Sequence, residues 1–239
     1  MSLEVISILL LFISFFGMLA YGVPVAYSIG ISTTLTILLN IATVPGITTV
    51  AQRMTTGIDS FALLAIPFFV LAGELMNRGG IATRLISFAK STIGSLPGGL
   101  AYVNIFAAML FGAISGSAVA AASAIGSVMT DRMEEEGYPR PFSAAINITS
   151  STTGLLIPPS NVLIVYALAS GGAASVAALF VAGYLPGILV GLALMVVAAV
   201  ISGRRGFSRG ERDGLRQVWL DYRRAFFSLL MLVVIDGGI

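Results

Sequence analysis

No cysteine and no histidine occur in the 239 residues, tryptophan appears once, and Asp, Glu, Lys and Arg together make up only 10%. Each shortage removes a class of function. Without Cys there is no disulfide framework and no thiolate metal site. Without His there is no Ser-His or Cys-His dyad and no imidazole ligand, and the commonest proton carrier is gone. A net charge of +2 is too small to suggest nucleic acid as a partner. The period-2 alternation of a β-barrel is also missing. What remains is 57% hydrophobic, with mean hydropathy +0.98, more apolar surface than a soluble domain could keep off water. These features define an all-α integral membrane protein.

The charges are spaced to match. Glu4 is followed by none until Arg53, and Arg140 by none until Arg204, gaps longer than the ~20 residues a helix needs to cross the hydrocarbon. The opening Met-Ser-Leu-Glu lacks the basic stretch of a signal peptide, so the first run is expected to be retained. Crossings are expected at about 3–21 and 23–41, joined by Gly22-Val23-Pro24. From Val44 to Ile58, Ile47, Val50, Met54 and Ile58 recur at helical spacing, which predicts a short helix in the interface plane. Phe61 to Met76 is a third run, and Ile81 to Ile93 is again amphipathic, with Arg84 and Lys90 opposed to Ile81, Leu85 and Phe88. Both amphipathic stretches read equally as ordinary interfacial loops or as mechanical elements.

Two stretches do not fit plain spans. The first is Phe111-Gly-Ala-Ile-Ser-Gly-Ser-Ala-Val119, inside 100–130. Its small residues could serve close helix packing, since Gly112 and Gly116 stand four apart. Alternatively Ile114 to Ala118 turns at membrane depth and forms a re-entrant hairpin, which is tolerated only where the backbone is buried or faces a watery cavity. The second is Asn147-Ile-Thr-Ser-Ser-Thr-Thr-Gly-Leu-Leu-Ile-Pro-Pro-Ser-Asn161, within an apolar segment of about 141–170. Pro158 and Pro159 remove two donors and disfavour helix before them, and Gly154 loosens the turn, so the span is expected to break there. A break leaves carbonyl ends that suit a cation and N–H ends that suit an anion. Ser150, Ser151, Thr152, Thr153, Ser160 and Asn161 add neutral oxygens suited to Na⁺. A kinked helix whose hydroxyls satisfy themselves is the other reading.

Gly171-Gly172 is expected to turn, Leu179 to Ile201 to span, and Arg204 to Arg224 to form a basic connector with Leu215, Val218, Trp219 and Tyr222 as an apolar stripe. The basic residues place that connector in the cytoplasm. Counting back puts Arg78, Arg84 and Lys90 inside and the N-terminus outside, and every basic cluster falls on one side only if the hairpin does not cross. From Ala225 a further apolar run begins and stops at Asp236-Gly-Gly-Ile239, as in a truncated span.

Gly22-Val-Pro24, Ile66-Pro-Phe-Phe-Val-Leu-Ala-Gly-Glu-Leu-Met-Asn-Arg-Gly-Gly80, Leu96-Pro-Gly-Gly99, Phe111 to Val119, and Ser150-Ser-Thr-Thr-Gly-Leu-Leu-Ile-Pro-Pro-Ser160 resemble the large membrane subunit of tripartite ATP-independent periplasmic (TRAP) transporters. Five motifs in order cover nearly the whole chain. Ala121 stands where many relatives have Asp, and Thr153 where many have Ile or Val. The resemblance implies the first inverted repeat of an elevator-type fold in a bacterial inner membrane, with a periplasmic N-terminus. It also implies Na⁺-coupled uptake of organic anions such as carboxylates, with Na⁺ as coupling ion and no other cofactor. The implied partners are a small four-helix membrane subunit, a periplasmic substrate-binding protein, the C-terminal half of the large subunit, and the lipid bilayer.

In those terms 1–58 holds scaffold helices and a first arm, 59–97 a third span and second arm, and 98–172 the moving part. Residues 173–203 add a span, 204–224 the connector, and 225–239 a last apolar start. Candidate Na⁺ and substrate contacts are Ser115, Gly116, Ser117, Asn147, Ser150, Ser151, Thr152, Thr153, Gly154, Pro158, Pro159, Ser160 and Asn161, with Ser117, Ser151 and Thr152 foremost for Na⁺. An intramembrane enzyme using Ser115 is excluded for want of a base. A subunit inactive by itself, or half of a channel, is the alternative to a permease.

Overall fold

The computed structural model describes residues 2–59, 61–171, 173–207, 210 and 214–237. Gly172 of the expected turn, Arg209 and Arg212 of the connector, and the last two residues lie outside them. Among the described residues the chain is helical, without a strand. Among the same residues two helices are long and apolar enough to cross a membrane, Leu3–Ala20 and Val176–Arg205, with Val25–Asn40 and Gly99–Ser115 apolar but shorter. The chain divides into two compact units, residues 1–61 and 62–239.

The first unit holds α1 (Leu3–Ala20), α2 (Val25–Asn40) and α3 (Thr43–Ile58). No residue of α1 is buried, and α2 buries only Ser28 and Ser32 while Tyr27, Ile29, Ile31 and Leu35 face outward. This inside-out arrangement suits lipid, where apolar side chains gain nothing by leaving the surface and small residues let backbones approach. The two buried hydroxyls are satisfied along their own helix: Ser32 Oγ donates to Ser28 O at 2.7 Å and Ser28 Oγ to Pro24 O at 3.3 Å. Asn40 Nδ2 donates to Ser7 Oγ at 2.8 Å and so ties α2 to α1. In α3, Thr48 and Thr49 donate back one turn in the same way.

The second unit contains α4 (Phe61–Arg78), α5 (Ile81–Ile93), α6 (Gly99–Ser115), α7 (Ala118–Glu135), α8 (Arg140–Ser151), a 3₁₀ turn (Thr152–Leu155), α9 (Asn161–Ala169), α10 (Val176–Arg205) and α11 (Leu215–Gly237). At its centre stands α6, in contact with α5, α7, α8, the 3₁₀ turn, α10 and α11. Ile105, Phe111 and Ile114 of α6 are fully buried, with Leu85 and Ile86 of α5 and Ile125 of α7. The end of the basic connector and the last apolar run are continuous, because α11 begins at Leu215 and runs on through Gly237. Among its described side chains the buried ones are Asp221, Ala225 and Ser228, whereas Leu215 and Trp219 of the expected apolar stripe are 90% and 59% exposed. The stripe is therefore only partly covered, with Tyr222 against Phe88 of α5, and the fully buried side is small and polar.

Below the hairpin, Tyr138 stacks with Phe142 and Phe207, the closest ring centroids being 4.3 Å apart, and Arg205 lies over the Phe142 ring. This aromatic clasp fastens the α7–α8 loop to the end of α10. Burial, with Glu136 nearby, pushes the Tyr138 pKa up to about 12.

Candidate functional site

The two irregular stretches meet. The α6–α7 turn is made by Gly116, whose φ of +63° only glycine adopts without strain, and by Ser117, which caps α7 by accepting from Ala120 N at 3.3 Å. The other interruption follows α8. The chain tightens into the 3₁₀ turn, passes Pro158 and Pro159, and restarts at Ser160. That hydroxyl accepts from Leu163 N at 3.3 Å and donates to Leu155 O at 2.6 Å, so one side chain satisfies an orphan group on each side of the break.

Three close approaches lock turn and break together. A Cβ on Gly112 would stand 2.5 Å from Gly154 Cα, one on Gly154 would stand 2.9 Å from Gly112 Cα, and one on Gly116 would stand 2.6 Å from Pro159 O. The backbones therefore touch, and Asn161 N donates to Gly116 O at 3.3 Å. From the other side the break rests on α10. Gly187 admits Ile157, and Gly191 one turn further admits Met109 of α6. Gly73 of α4 passes close to the turn, where a Cβ would lie a tight 3.3 Å from Ser115 Cβ.

Of the sequence-predicted residues, Ser115, Gly116, Gly154, Pro158, Pro159 and Ser160 are buried at this junction, and Ser117 and Asn161 are partly exposed there. Ser150 and Ser151 lie buried one turn back along α8, and Thr153 is fully buried in the 3₁₀ turn. Thr152 is not brought in: it is exposed and donates to Thr149 O at 2.7 Å. The hydroxyls do donate to their own helix, Ser151 to Asn147 O at 2.6 Å and Thr153 to Ser150 O at 2.6 Å. Spending the proton this way leaves the oxygen lone pairs available to a cation. Asn147 ties α8 to the hairpin, its Nδ2 donating to Ala122 O at 2.9 Å beside Gly126, which makes room for the amide.

Two contributors were not read from the sequence. Asn104, fully buried on α6, donates from Nδ2 to Ser150 Oγ at 3.3 Å, while its Oδ1 has no partner. Its signal was visible, a lone amide in an otherwise apolar arm. The Gly183-xxx-Gly187-xxx-Gly191 repeat on α10 was visible too, as a face for close packing.

Among the described residues no group of Asp, Glu, His or Cys could hold a metal. The junction offers neutral oxygens and two helix ends. Interrupted helices set against each other in this way recur in secondary transporters.

The comparisons with known proteins agree. The family profile of the tripartite ATP-independent periplasmic transporter DctM component matches residues 12–239, and the chain belongs to that family, one of transporters and not of enzymes. It is 55% identical over 97% of its length to the uncharacterized protein YgiK of Salmonella typhimurium, covering 53% of that protein. It is 39% identical over 98% of its length to the C4-dicarboxylate TRAP transporter large permease protein DctM of Rhodobacter capsulatus, covering 55% of it. To the sialic acid TRAP transporter large permease protein SiaM of Vibrio cholerae it is 41% identical over 93% of its length, covering 51% of that protein. The chain thus spans about half the length of the curated relatives it matches.

Proposed function

We propose that the chain forms part of an inner-membrane permease for Na⁺-coupled uptake of organic anions, carboxylates above all. A periplasmic binding protein delivers the substrate, and a small four-helix subunit assembles with the permease. The observation that carries this reading is the Gly112–Gly154 crossing. It sets a hairpin turn against a helix break, the arrangement in which discontinuous helices expose carbonyl ends to a cation and N–H ends to an anion. In this reading α6 and α7 form a re-entrant hairpin that does not cross the membrane. Helices α8 and α9 are the halves of one broken span, and α3 and α5 are interfacial arms between fixed and moving parts. The N-terminus is periplasmic and the basic stretch before α11 cytoplasmic. An opposing hairpin and broken helix, from the part of the relatives' length that this chain does not match, complete the site.

Na⁺ is held by several oxygens, so the loss of one weakens it without abolishing it. In proteoliposomes of the assembled transporter, Ser117→Ala and Ser151→Ala each raise the Na⁺ concentration for half-maximal uptake by about threefold, the effect of losing under 1 kcal/mol of coordination. Unchanged Na⁺ dependence in both variants would remove the ion site from this junction.

A further inference from the structure

Between α5 and α11 lies a cavity of about 270 Å³, lined by Ser87, Lys90, Gln217, Asp221 and Arg224, which the proposed uptake does not use. Asp221 is only 5% exposed. Gln217 Nε2 donates to its Oδ2 at 3.0 Å, and Arg224 Nη1 stands 3.8 Å from its Oδ1. A carboxylate so deeply buried is costly unless paired, and here it holds an amide and a guanidinium in place. The cationic ends stay accessible: the Arg224 side chain is 72% exposed, and Lys90 is exposed with no ion pair among the described residues.

The position of the cavity along α11 indicates what reaches it. Up to Arg224 the helix is rich in charge, and after Ala225 it presents Phe226, Phe227, Leu230, Val233 and Val234 outward, a surface made for hydrocarbon. A ring cluster marks the change, with Phe88 and Tyr222 at 6.2 Å, Trp219 and Tyr222 at 5.6 Å, and Tyr222 and Phe226 at 6.1 Å. Amphipathic aromatic rings settle at the boundary between water and lipid. The cavity therefore opens at the level of lipid headgroups.

We propose that Ser87, Lys90, Gln217 and Arg224 form a phosphate-binding site whose ligand is the phosphodiester of a membrane lipid. Lys90 and Arg224 donate charge-assisted hydrogen bonds to its non-bridging oxygens, and Asp221 is a positioning residue that aims Arg224. Asp221 also reduces the charge of the cavity from two positive units to one. A phosphodiester carries a single negative charge at every pH near neutrality and matches that balance, whereas free phosphate there is a mixture of singly and doubly charged forms. The site stands apart from the ion junction, so its failure would leave the transport reading intact.

The test is binding to the purified protein in a neutral detergent, followed by native mass spectrometry. The probes are short-chain phosphatidylglycerol, the diacylglycerol of the same chains, and inorganic phosphate. Phosphatidylglycerol is expected to bind, to outcompete inorganic phosphate, and to lose about tenfold in affinity in K90Q/R224Q, since two charge-assisted hydrogen bonds disappear. R84Q, an exposed charge on the same helix outside the cavity, leaves binding unchanged. Circular dichroism equal to wild type shows that K90Q/R224Q is folded, Gln217 Nε2 still donating to the Asp221 carboxylate there. Inorganic phosphate binding as tightly as the lipid would overturn the lipid assignment. Binding that survives K90Q/R224Q, or that diacylglycerol reproduces, would overturn the site.

Discussion

The α1–α2 pair and the α6–α9 assembly are both apolar and helical, yet they are built on opposite plans. In the pair, no large side chain is buried, most are exposed, and the buried residues are two serines. Glycines there face open space: a Cβ on Gly17 or Gly30 would meet nothing within 4 Å. In the assembly, thirteen residues of α6 are buried, and Gly112 and Gly154 stand where any side chain would strike backbone. Lipid rewards neither plan with a hydrophobic driving force, so small residues mark where helices must touch and large ones mark where they need not. The pair touches along a serine face, whereas the assembly touches at backbone level because a turn and a break must be held against each other.

This contrast can be broken at its strongest point first. Gly112→Val drives a branched side chain into the Gly154 backbone, and we expect a loss of stability on the order of 3 kcal/mol, read as a lower thermal unfolding midpoint in detergent. A midpoint equal to wild type would mean that the crossing is loose. Next comes Ser160→Ala, which removes the cap on Leu163 N and the donor to Leu155 O. About 1–2 kcal/mol should be lost, and Ser160→Thr, which keeps the hydroxyl, should restore most of it.

Asn147→Leu unties α8 from Ala122 on the hairpin at a cost of about 1 kcal/mol. Hydrogen exchange then rises in α7 more than in α10, and an even rise across both would deny the tie. The smallest effect belongs to the pair. Gly30→Ala fills open space and removes a helix-weakening glycine, so stability should stay unchanged or rise by up to about 1 kcal/mol. A loss comparable to that of Gly112→Val would erase the difference between the regions.

Much of the site was legible because it is written in backbone chemistry. Pro158 and Pro159 lack donors and Gly116 tolerates a left-handed turn, so the interruptions could be read residue by residue. The hydroxyls were legible as a set but not in direction. Thr152 sits in the same run as Ser151, yet it faces outward while Ser151 is buried, because the chain has tightened into a 3₁₀ turn at that point and rotated the two residues onto different faces. Within α11 the apolar stripe of Leu215, Val218, Trp219 and Tyr222 was legible, but not that Asp221, Ala225 and Ser228 are the residues buried there.

By itself the sequence determined the solvent, the helical class, the two interruptions at Gly116 and at Pro158-Pro159, and the family, since composition, charge gaps, donor loss and motif order act locally. Tertiary structure alone decided which faces meet: α6 as the buried centre, Gly112 against Gly154, Asn104 against Ser150, and the break seated on Gly187. The physical reason is that apolar periodicity distinguishes inside from outside only where water is the alternative. In a chain surrounded by lipid, every face is apolar, and the choice passes to close packing and to the few polar atoms that must find partners.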